Sequence, residues 1–311
     1  VPSSPRPVLA VVAAAALFGT AGTARELGPD GTTPLGVGAV RIVIGTAVLW
    51  TAVWWARRRG SIAAVAAPIR SNRWVILVGG LGVAIYTPMF FEAVERAGVA
   101  VGTIVGVGSG PFFAGALEWA WRGVRPSRWW ALGTAITVSG GAVLVLAQDA
   151  GRSTSEPGDA VGIAFALAAG FGYALYSVTS KVVMERNVDP VLTLAATFLV
   201  GAIAVALLAV DEPFGWITSG PGLLMALHLG VLATGFAYLL YGYGLQRLSS
   251  ATTVTLVLAE PLTATMLAVL VLDESIVAAA WVGIVGLLVG LLIVGRTAHV
   301  SFEPVPDDHL R

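Results

Sequence analysis

Hydrophobic residues in this chain do not alternate with polar ones; they come in long unbroken runs separated by short polar stretches. Ten runs can be read, at about 7–27, 34–56, 74–95, 98–121, 128–147, 160–184, 190–210, 219–245, 249–272 and 276–296. An α-helix rises about 1.5 Å per residue, so roughly 20 residues cross a hydrocarbon layer about 30 Å thick. Runs of this length predict membrane-spanning helices. Barrel strands would show short segments of alternating hydrophobicity, which these runs do not. The pattern predicts an all-α polytopic membrane protein with ten transmembrane helices, for which the lipid bilayer is the first partner.

Composition agrees. Of 311 residues, 57% are hydrophobic and 12% charged, against roughly 25% charged in ordinary soluble domains. Mean hydropathy is +0.85. The formal net charge is zero, so there is no electrostatic case for nucleic acid. The chain has no cysteine, which excludes disulfides, thiolate metal sites and cysteine nucleophiles. The first run, preceded by Arg6, has the look of a cleaved signal peptide, but the internal repeat described below argues against one.

Charge in the connections orients the chain. With the N-terminus inside, alternate connections carry Arg57, Arg58, Arg59, Arg70 and Arg73; Arg122, Arg125 and Arg128; Lys181 and Arg186; and Arg247. With Arg6, Arg296 and Arg311, 14 of the 18 basic residues fall on that side. The opposite connections hold Asp149, Glu156 and Asp159, then Asp211 and Glu212, then Asp273 and Glu274. The positive-inside rule predicts cytoplasmic termini and therefore an even number of spans. Trp54, Trp55, Trp119, Trp121, Trp129 and Trp130 gather at the same boundary and predict an interfacial belt.

The chain also repeats itself. A shift of 150 residues places Gly80 on Gly230, Thr103 on Thr253, Pro111 on Pro261, Gly133 on Gly283, Gly140 on Gly290 and Tyr86 on Phe236. At slightly different offsets Gly19 matches Gly172, Pro34 matches Pro190 and Gly45 matches Gly201. Single matches in apolar sequence are weak, but their order and common spacing define two units, 7–147 and 160–296, followed by a cytoplasmic tail at 297–311. Five spans per unit is odd, so the second unit is predicted to lie inverted relative to the first. Inverted repeats are a transporter architecture, with the site near mid-membrane between the halves. A duplicated scaffold without transport is the plainer alternative.

These residues carry a family resemblance. Glu260-Pro261, about a dozen apolar residues, the acidic pair Asp273-Glu274 and a final span with Gly283, Gly286 and Gly290 resemble the second repeat of the EamA-type family in the drug/metabolite transporter superfamily. Phe18-Gly19, Phe171-Gly172, Pro34 and Arg41 fit the same pattern. The resemblance covers about 7–296 and implies five plus five spans, inward termini and export of small metabolites. The first half departs from it, because Val124 stands opposite Glu274 and Gly110 opposite Glu260. Any site is therefore expected to be asymmetric.

Candidate site residues follow from depth. Glu260 sits mid-span, where a charge costs about 2.5–3.5 kcal/mol even on the lenient insertion scale. It either lines a cavity or accepts hydrogen bonds that fix packing. Pro261 removes a backbone hydrogen bond, and Gly106, Gly108, Ser109 and Gly110 before Pro111 expose backbone in the first half. Both sequences predict kinked or broken helices flanking the site. Arg41 either pairs with Glu26 or Glu92 or binds a carboxylate. His228 reads first as a helix-packing hydrogen bonder and second as a proton carrier. Lys181 and Glu118 read as snorkelling residues, with Glu118 also in i,i+4 reach of Arg122. Tyr86, Phe90, Tyr173, Tyr176 and Phe236 face either a cavity suited to amphipathic molecules or lipid.

Rival classes lack their motifs. There is no H-E-x-x-H, no G-x-S-x-G elbow, no diphosphate-binding aspartate cluster and no ATP-binding loop. No cofactor is implied and an enzyme is not expected, leaving a remote Ser109–His228 dyad as the enzymatic alternative. Channel-type rings of like charge are absent as well. The expected function is a secondary transporter of the plasma membrane that exports a small-molecule substrate, such as an amino acid or related amphipathic compound, by alternating access.

Overall fold

Several helices of this chain begin where a small polar residue precedes proline or glycine. The computed structural model describes residues 5–62, 65–149, 160–272, 276–298 and 302–304. The first half holds α1 (Arg6–Glu26), α2 (Pro34–Arg58), a short α3 (Ala66–Ser71), α4 (Arg73–Ala97), α5 (Val99–Arg122) and α6 (Arg128–Asp149). The second holds α7 (Ala160–Glu185), α8 (Pro190–Leu208), α9 (Gly220–Leu227), a π-helical segment (His228–Phe236), α10 (Ala237–Arg247), α11 (Ser250–Val257), α12 (Glu260–Leu272) and α13 (Ala278–Thr297). The Thr33 hydroxyl accepts from the Gly36 amide (3.2 Å), and the Asp189 carboxylate accepts from the amides of Val191 (2.8 Å) and Leu192 (3.1 Å). Each cap is followed by proline, whose locked φ and missing N–H suit the first helical position. Ser219 and Ser249 cap α9 and α11 through the amides of Gly222 (3.1 Å) and Thr252 (3.0 Å).

Among the described residues, nine helices are long and apolar enough to cross a membrane; the stretches Gly220–Arg247 and Ser250–Val271 each count as one. The remaining predicted segment is α5, a 24-residue helix. The surface is inverted relative to a soluble protein, with Leu207, Leu224, Leu270 and Val282 each about 70% exposed. Lipid is the solvent such a surface suits.

Contacts separate two ends of the bundle. At one end, β1 (Val124–Pro126) pairs antiparallel with β2 (Phe302–Pro304), in the register Arg125 to Glu303. Arg186 at the end of α7 donates to the side chain of Asn72 before α4 (2.8 Å), which places the start of α4 there too. We call this the tail end. Trp54, Trp55, Trp74, Trp119 and Trp129 lie there, half-exposed or more, beneath the guanidinium groups of Arg58, Arg59, Arg73, Arg125 and Arg128 at 4.0–5.9 Å from the ring centroids. At the far end the Thr33 hydroxyl donates to Glu212, and Arg96 stacks on Phe165. Arg152, Glu156, Asp159, Asp273 and Glu274 lie outside the described residues, so the acidic far-end connections are described only at Asp149, Asp211 and Glu212.

The two halves interlock in pairs: α4 packs on α7 and α10 on α1, α5 on α7 and α12 on α1, with α2–α8 and α6–α13 as central and lateral contacts. Glycine makes the closest of these possible. A Cβ added to Gly133 would lie 3.2 Å from the Gly290 carbonyl oxygen, and one on Gly140 only 2.9 Å from that of Gly283. The reverse approaches, Gly290 to Gly133 and Gly283 to Gly140, are 2.7 and 2.8 Å. Likewise Gly45 approaches the Gly230 carbonyl at 3.3 Å, and Gly201 the Gly80 carbonyl at 3.4 Å.

Three expectations need correction. Trp130 does not join the belt; it is 3% exposed and its ring fills the space over Gly115. The glycine-rich stretch before Pro111 does not break its helix, since α5 runs through it without interruption. Glu118 and Lys181 do not snorkel, being 0% and 7% exposed. Glu118 accepts from Arg122 (2.8 Å) and from the amides of Ser250 (2.8 Å) and Ala251 (3.3 Å), capping α11. Lys181 donates to the carbonyls of Leu245 and Gln246 at the end of α10, both at 2.9 Å. Arg122 also bonds Glu185, so the ends of α5, α7, α10 and the start of α11 form one polar clasp. Opposite charges at helix ends favour this arrangement, because donors are orphaned at the N-terminus and carbonyls at the C-terminus.

Candidate functional site

A cavity of about 450 Å³ lies between the halves, within the usual range of roughly 300–1,000 Å³ for small-molecule sites. It begins at mid-helix and reaches the far end, where the half-exposed Pro34 and the exposed Arg25 line it. On the tail side it stops at Phe18, Val83, Tyr176, Phe198 and Tyr238. These sit eight or more residues from their helices' tail ends, so about 12 Å of packed helix seals that side.

That floor is aromatic. Phe198 and Tyr238 rings lie 4.3 Å apart between centroids, Phe18 and Tyr238 5.2 Å, and Tyr173 and Tyr176 5.3 Å. The Tyr176 and Tyr238 hydroxyls share a 2.8 Å hydrogen bond, and Ser177 meets the Tyr241 hydroxyl at 2.7 Å just below. The Tyr173 hydroxyl is buried with no hydrogen-bond partner among the described residues. Toward the opening, Tyr86 bridges the floor and the upper wall, 5.7 Å from Tyr173 and 5.9 Å from Phe90.

Two charges face this aromatic chamber. Arg41, from α2, is half-buried and lines it, as does half-buried Glu260, the first residue of α12. The span carrying Glu260 is broken just before it. The amide of Leu258 bonds the Thr255 carbonyl (3.0 Å) and that of Ala259 bonds Leu256 (3.1 Å), tight turns in place of helix. Pro261 supplies no amide to repair the ladder, so the chain restarts at α12 with a carboxylate at its N-terminus, where the helix dipole favours one. Neither Arg41 nor Glu260 has a hydrogen bond or ion pair among the described residues. The anticipated pairing of Arg41 with Glu92 does not form, because Glu92 is taken by Arg96 at 3.0 Å.

Of the residues singled out from sequence, Arg41, Tyr86, Phe90, Tyr173, Tyr176 and Glu260 converge on this cavity. Ser109 and Gly110 lie behind it at the α5–α7 contact. A Cβ on Gly110 would meet the Tyr173 ring at 3.1 Å, so the glycine sets where that ring rests. Phe236 is outside the lining and 49% exposed. His228 Nε2 is 2.8 Å from the Thr20 hydroxyl, the helix-packing bond expected of it. Sequence reasoning named Phe18 and Thr103 only for the family pattern and the repeat, and passed over Phe198, Tyr238, Thr87 and Thr137; all six are in the wall. The signal for Tyr238 was hidden by the π segment just before it. An α-helix turns about 100° per residue and a π turn less, so the inward face slips and Tyr238 points where alignment with Tyr86 had put Phe236. The Thr234 hydroxyl marks the wider turn by donating to the Leu229 carbonyl five residues back (2.8 Å).

Known proteins match this chain along nearly its whole length. The model of the EamA-like transporter family matches twice, at residues 5–146 and 160–296. Uncharacterized transporter YwfM of Bacillus subtilis (strain 168) is 36% identical over 287 residues, 92% of each chain. An uncharacterized transporter of Clostridium kluyveri is 35% identical over 138 residues, 43% of this chain and 44% of that one. A solved crystal structure superposes with a TM-score of 0.78 at 23% identity, covering 96% of this chain and 99% of the other, and so shares its fold. Two family matches that tile the chain, together with a relative similar from end to end, show that this protein belongs to the EamA-like transporter family.

Proposed function

We propose that the protein is a secondary transporter of the plasma membrane that exports small amphipathic metabolites, amino acids or close relatives, by alternating access. In this reading it has ten spans in two inverted five-span repeats, 7–147 and 160–296, with both termini and the tail end cytoplasmic. Family membership and the named relatives support membrane transport. The observation that carries the reading is a chamber between the repeats that reaches the far end, holds Arg41 and Glu260 with no ion pair among the described residues, and is sealed at the tail end by aromatics and the polar clasp. Such a state is one half of an alternating-access cycle.

Reciprocal contacts support the repeat. If Gly133 is matched with Gly283 and Gly140 with Gly290, the Gly133–Gly290 contact maps onto the Gly283–Gly140 contact. Matching Gly45 with Gly201 and Gly80 with Gly230 does the same for the Gly45–Gly230 and Gly201–Gly80 approaches. A two-fold axis relates contacts in this way. Five spans per unit, an odd number, would lay that axis in the membrane plane. The positive-inside bias supports the orientation.

The test is counterflow in proteoliposomes preloaded with unlabelled amino acids. Labelled leucine or phenylalanine should accumulate transiently, without ATP, and the signal should vanish when Glu260 and Arg41 are both replaced. Empty-liposome rates for every amino acid and amine offered would sink the proposal.

A further inference from the structure

We infer that the cavity reads zwitterions: Arg41 takes the anionic group of the substrate, Glu260 takes its amine, and the aromatic floor takes the apolar body. This deepens the transporter reading and rests on it for physiological meaning. The argument begins with cost. A lone ionised group within a span is expensive, and such groups ordinarily find a protein partner or water. Here Arg41 and Glu260 line the same chamber, with the exposed Arg25 at its far-end mouth, yet neither of the two bonds the other nor any other described residue. Of the two acids expected to pair with Arg41, Glu92 holds Arg96, and Glu26 makes no ion pair with Arg41 among the described residues. Both charges share the wall of this one cavity with the Tyr86 and Tyr238 rings, so they flank one binding volume.

Their signs limit what fits. Past Arg25 at the mouth, a dianion such as a sugar phosphate would meet only the Arg41 guanidinium beside the aromatic floor and be repelled by Glu260; a diamine would meet the converse at Arg41. A ligand with one charge satisfies one residue and leaves the other desolvated and unpaired on closure, the situation that gives sites their strongest discrimination. A molecule with an acid and an amine on one small apolar body satisfies both. Planar Arg41 suits a two-oxygen acid group, and the rings beneath suit an aliphatic or aromatic remainder. Thr87, Thr103 and Thr137 add hydroxyls to the wall without adding charge.

The test uses matched triads on the full-length protein in nanodiscs: phenylalanine, phenethylamine and 3-phenylpropanoate, and leucine, isoamylamine and 4-methylpentanoate. Wild type should bind the zwitterion of at least one triad about tenfold or more tighter than either single-charge analogue. Arg41→Gln should erase the advantage over the amine while keeping that over the acid, and Glu260→Gln should do the reverse. The inference is overturned if a single-charge analogue binds wild type as well as the zwitterion does. It is overturned equally if both variants lose all ligands in parallel, or if wild type binds none of the six. The two readings separate cleanly. Counterflow of the amine or acid by wild type leaves the transporter standing and removes the zwitterion rule; selective binding without counterflow does the opposite.

Discussion

If the protein alternates between states as proposed, Glu118 offers the most direct way to move it between them. Its carboxylate is fully buried and accepts three hydrogen bonds, two from the first amides of α11 and one from Arg122. Glu118→Ala leaves the Ser250 and Ala251 amides buried without an acceptor. An orphaned buried donor costs about 1–3 kcal/mol, so two cost about 2–4 kcal/mol once partial access to water is allowed for. Arg122 keeps Glu185 and some solvent contact, and adds little to that sum. The penalty applies only while the tail end is closed, because opening hydrates those amides. At 1.36 kcal/mol per factor of ten, the equilibrium should shift about 30- to 900-fold toward a tail-open state. Glu118→Gln keeps an acceptor oxygen and should shift it far less. The absence of native cysteine makes the assay simple. Thr253, fully buried in α11, and Gly22, exposed in the cavity wall with open space for a Cβ, are replaced singly by cysteine. In Glu118→Ala, maleimide labelling should accelerate at position 253 and slow at position 22. Acceleration at 253 with no change at 22 would refute the argument, since it would mean local fraying of α11 instead of a change of state.

Two further predictions concern topology and symmetry. In intact cells, an impermeant maleimide should label a cysteine at Asp211 and not one at Arg58; the opposite pattern would invert the orientation. Gly140→Val and its repeat counterpart Gly290→Val should each force α6 and α13 apart and lower the thermal stability of detergent-solubilised protein by similar amounts, about 1–3 kcal/mol for overpacking. A loss confined to one of them would break the proposed equivalence of the halves.

The helices were legible because a bilayer imposes one rule on every span: long apolar runs, punctuated by caps and prolines such as Thr33-Pro34 and Asp189-Pro190. Tail-end tryptophans were legible for the same reason, except Trp130. Its neighbour Trp129 faces lipid, and one residue further around the helix points inward, a distinction that depends on which face packs and not on composition. Glu260 and Arg41 were visible as expensive charges, but whether they were paired was not, because pairing is a matter of three-dimensional distance. The helix break also defeated pattern reading. Pro111 and Pro261 align, yet α5 continues through the first and the chain breaks before the second, since surrounding packing decides whether a proline ends a helix. Tyr238 was missed because a π segment shifts the face without leaving a mark in the order of residue types.

The interruption at Leu258 and Ala259 divides one span into two arms. The lower arm, α11, is pinned to α5 by Glu118. The upper arm, α12, rests against α1, where a Cβ on Gly19 would come within 2.6 Å of the Glu260 carbonyl oxygen. With part of its hydrogen-bond ladder missing, the joint is the softest point along the span. A displacement of α5 relative to α1 would be taken up most readily as a bend there. Glu260 sits at the pivot itself, so whatever charge approaches it is positioned to feel, and to oppose or assist, the angle between the arms.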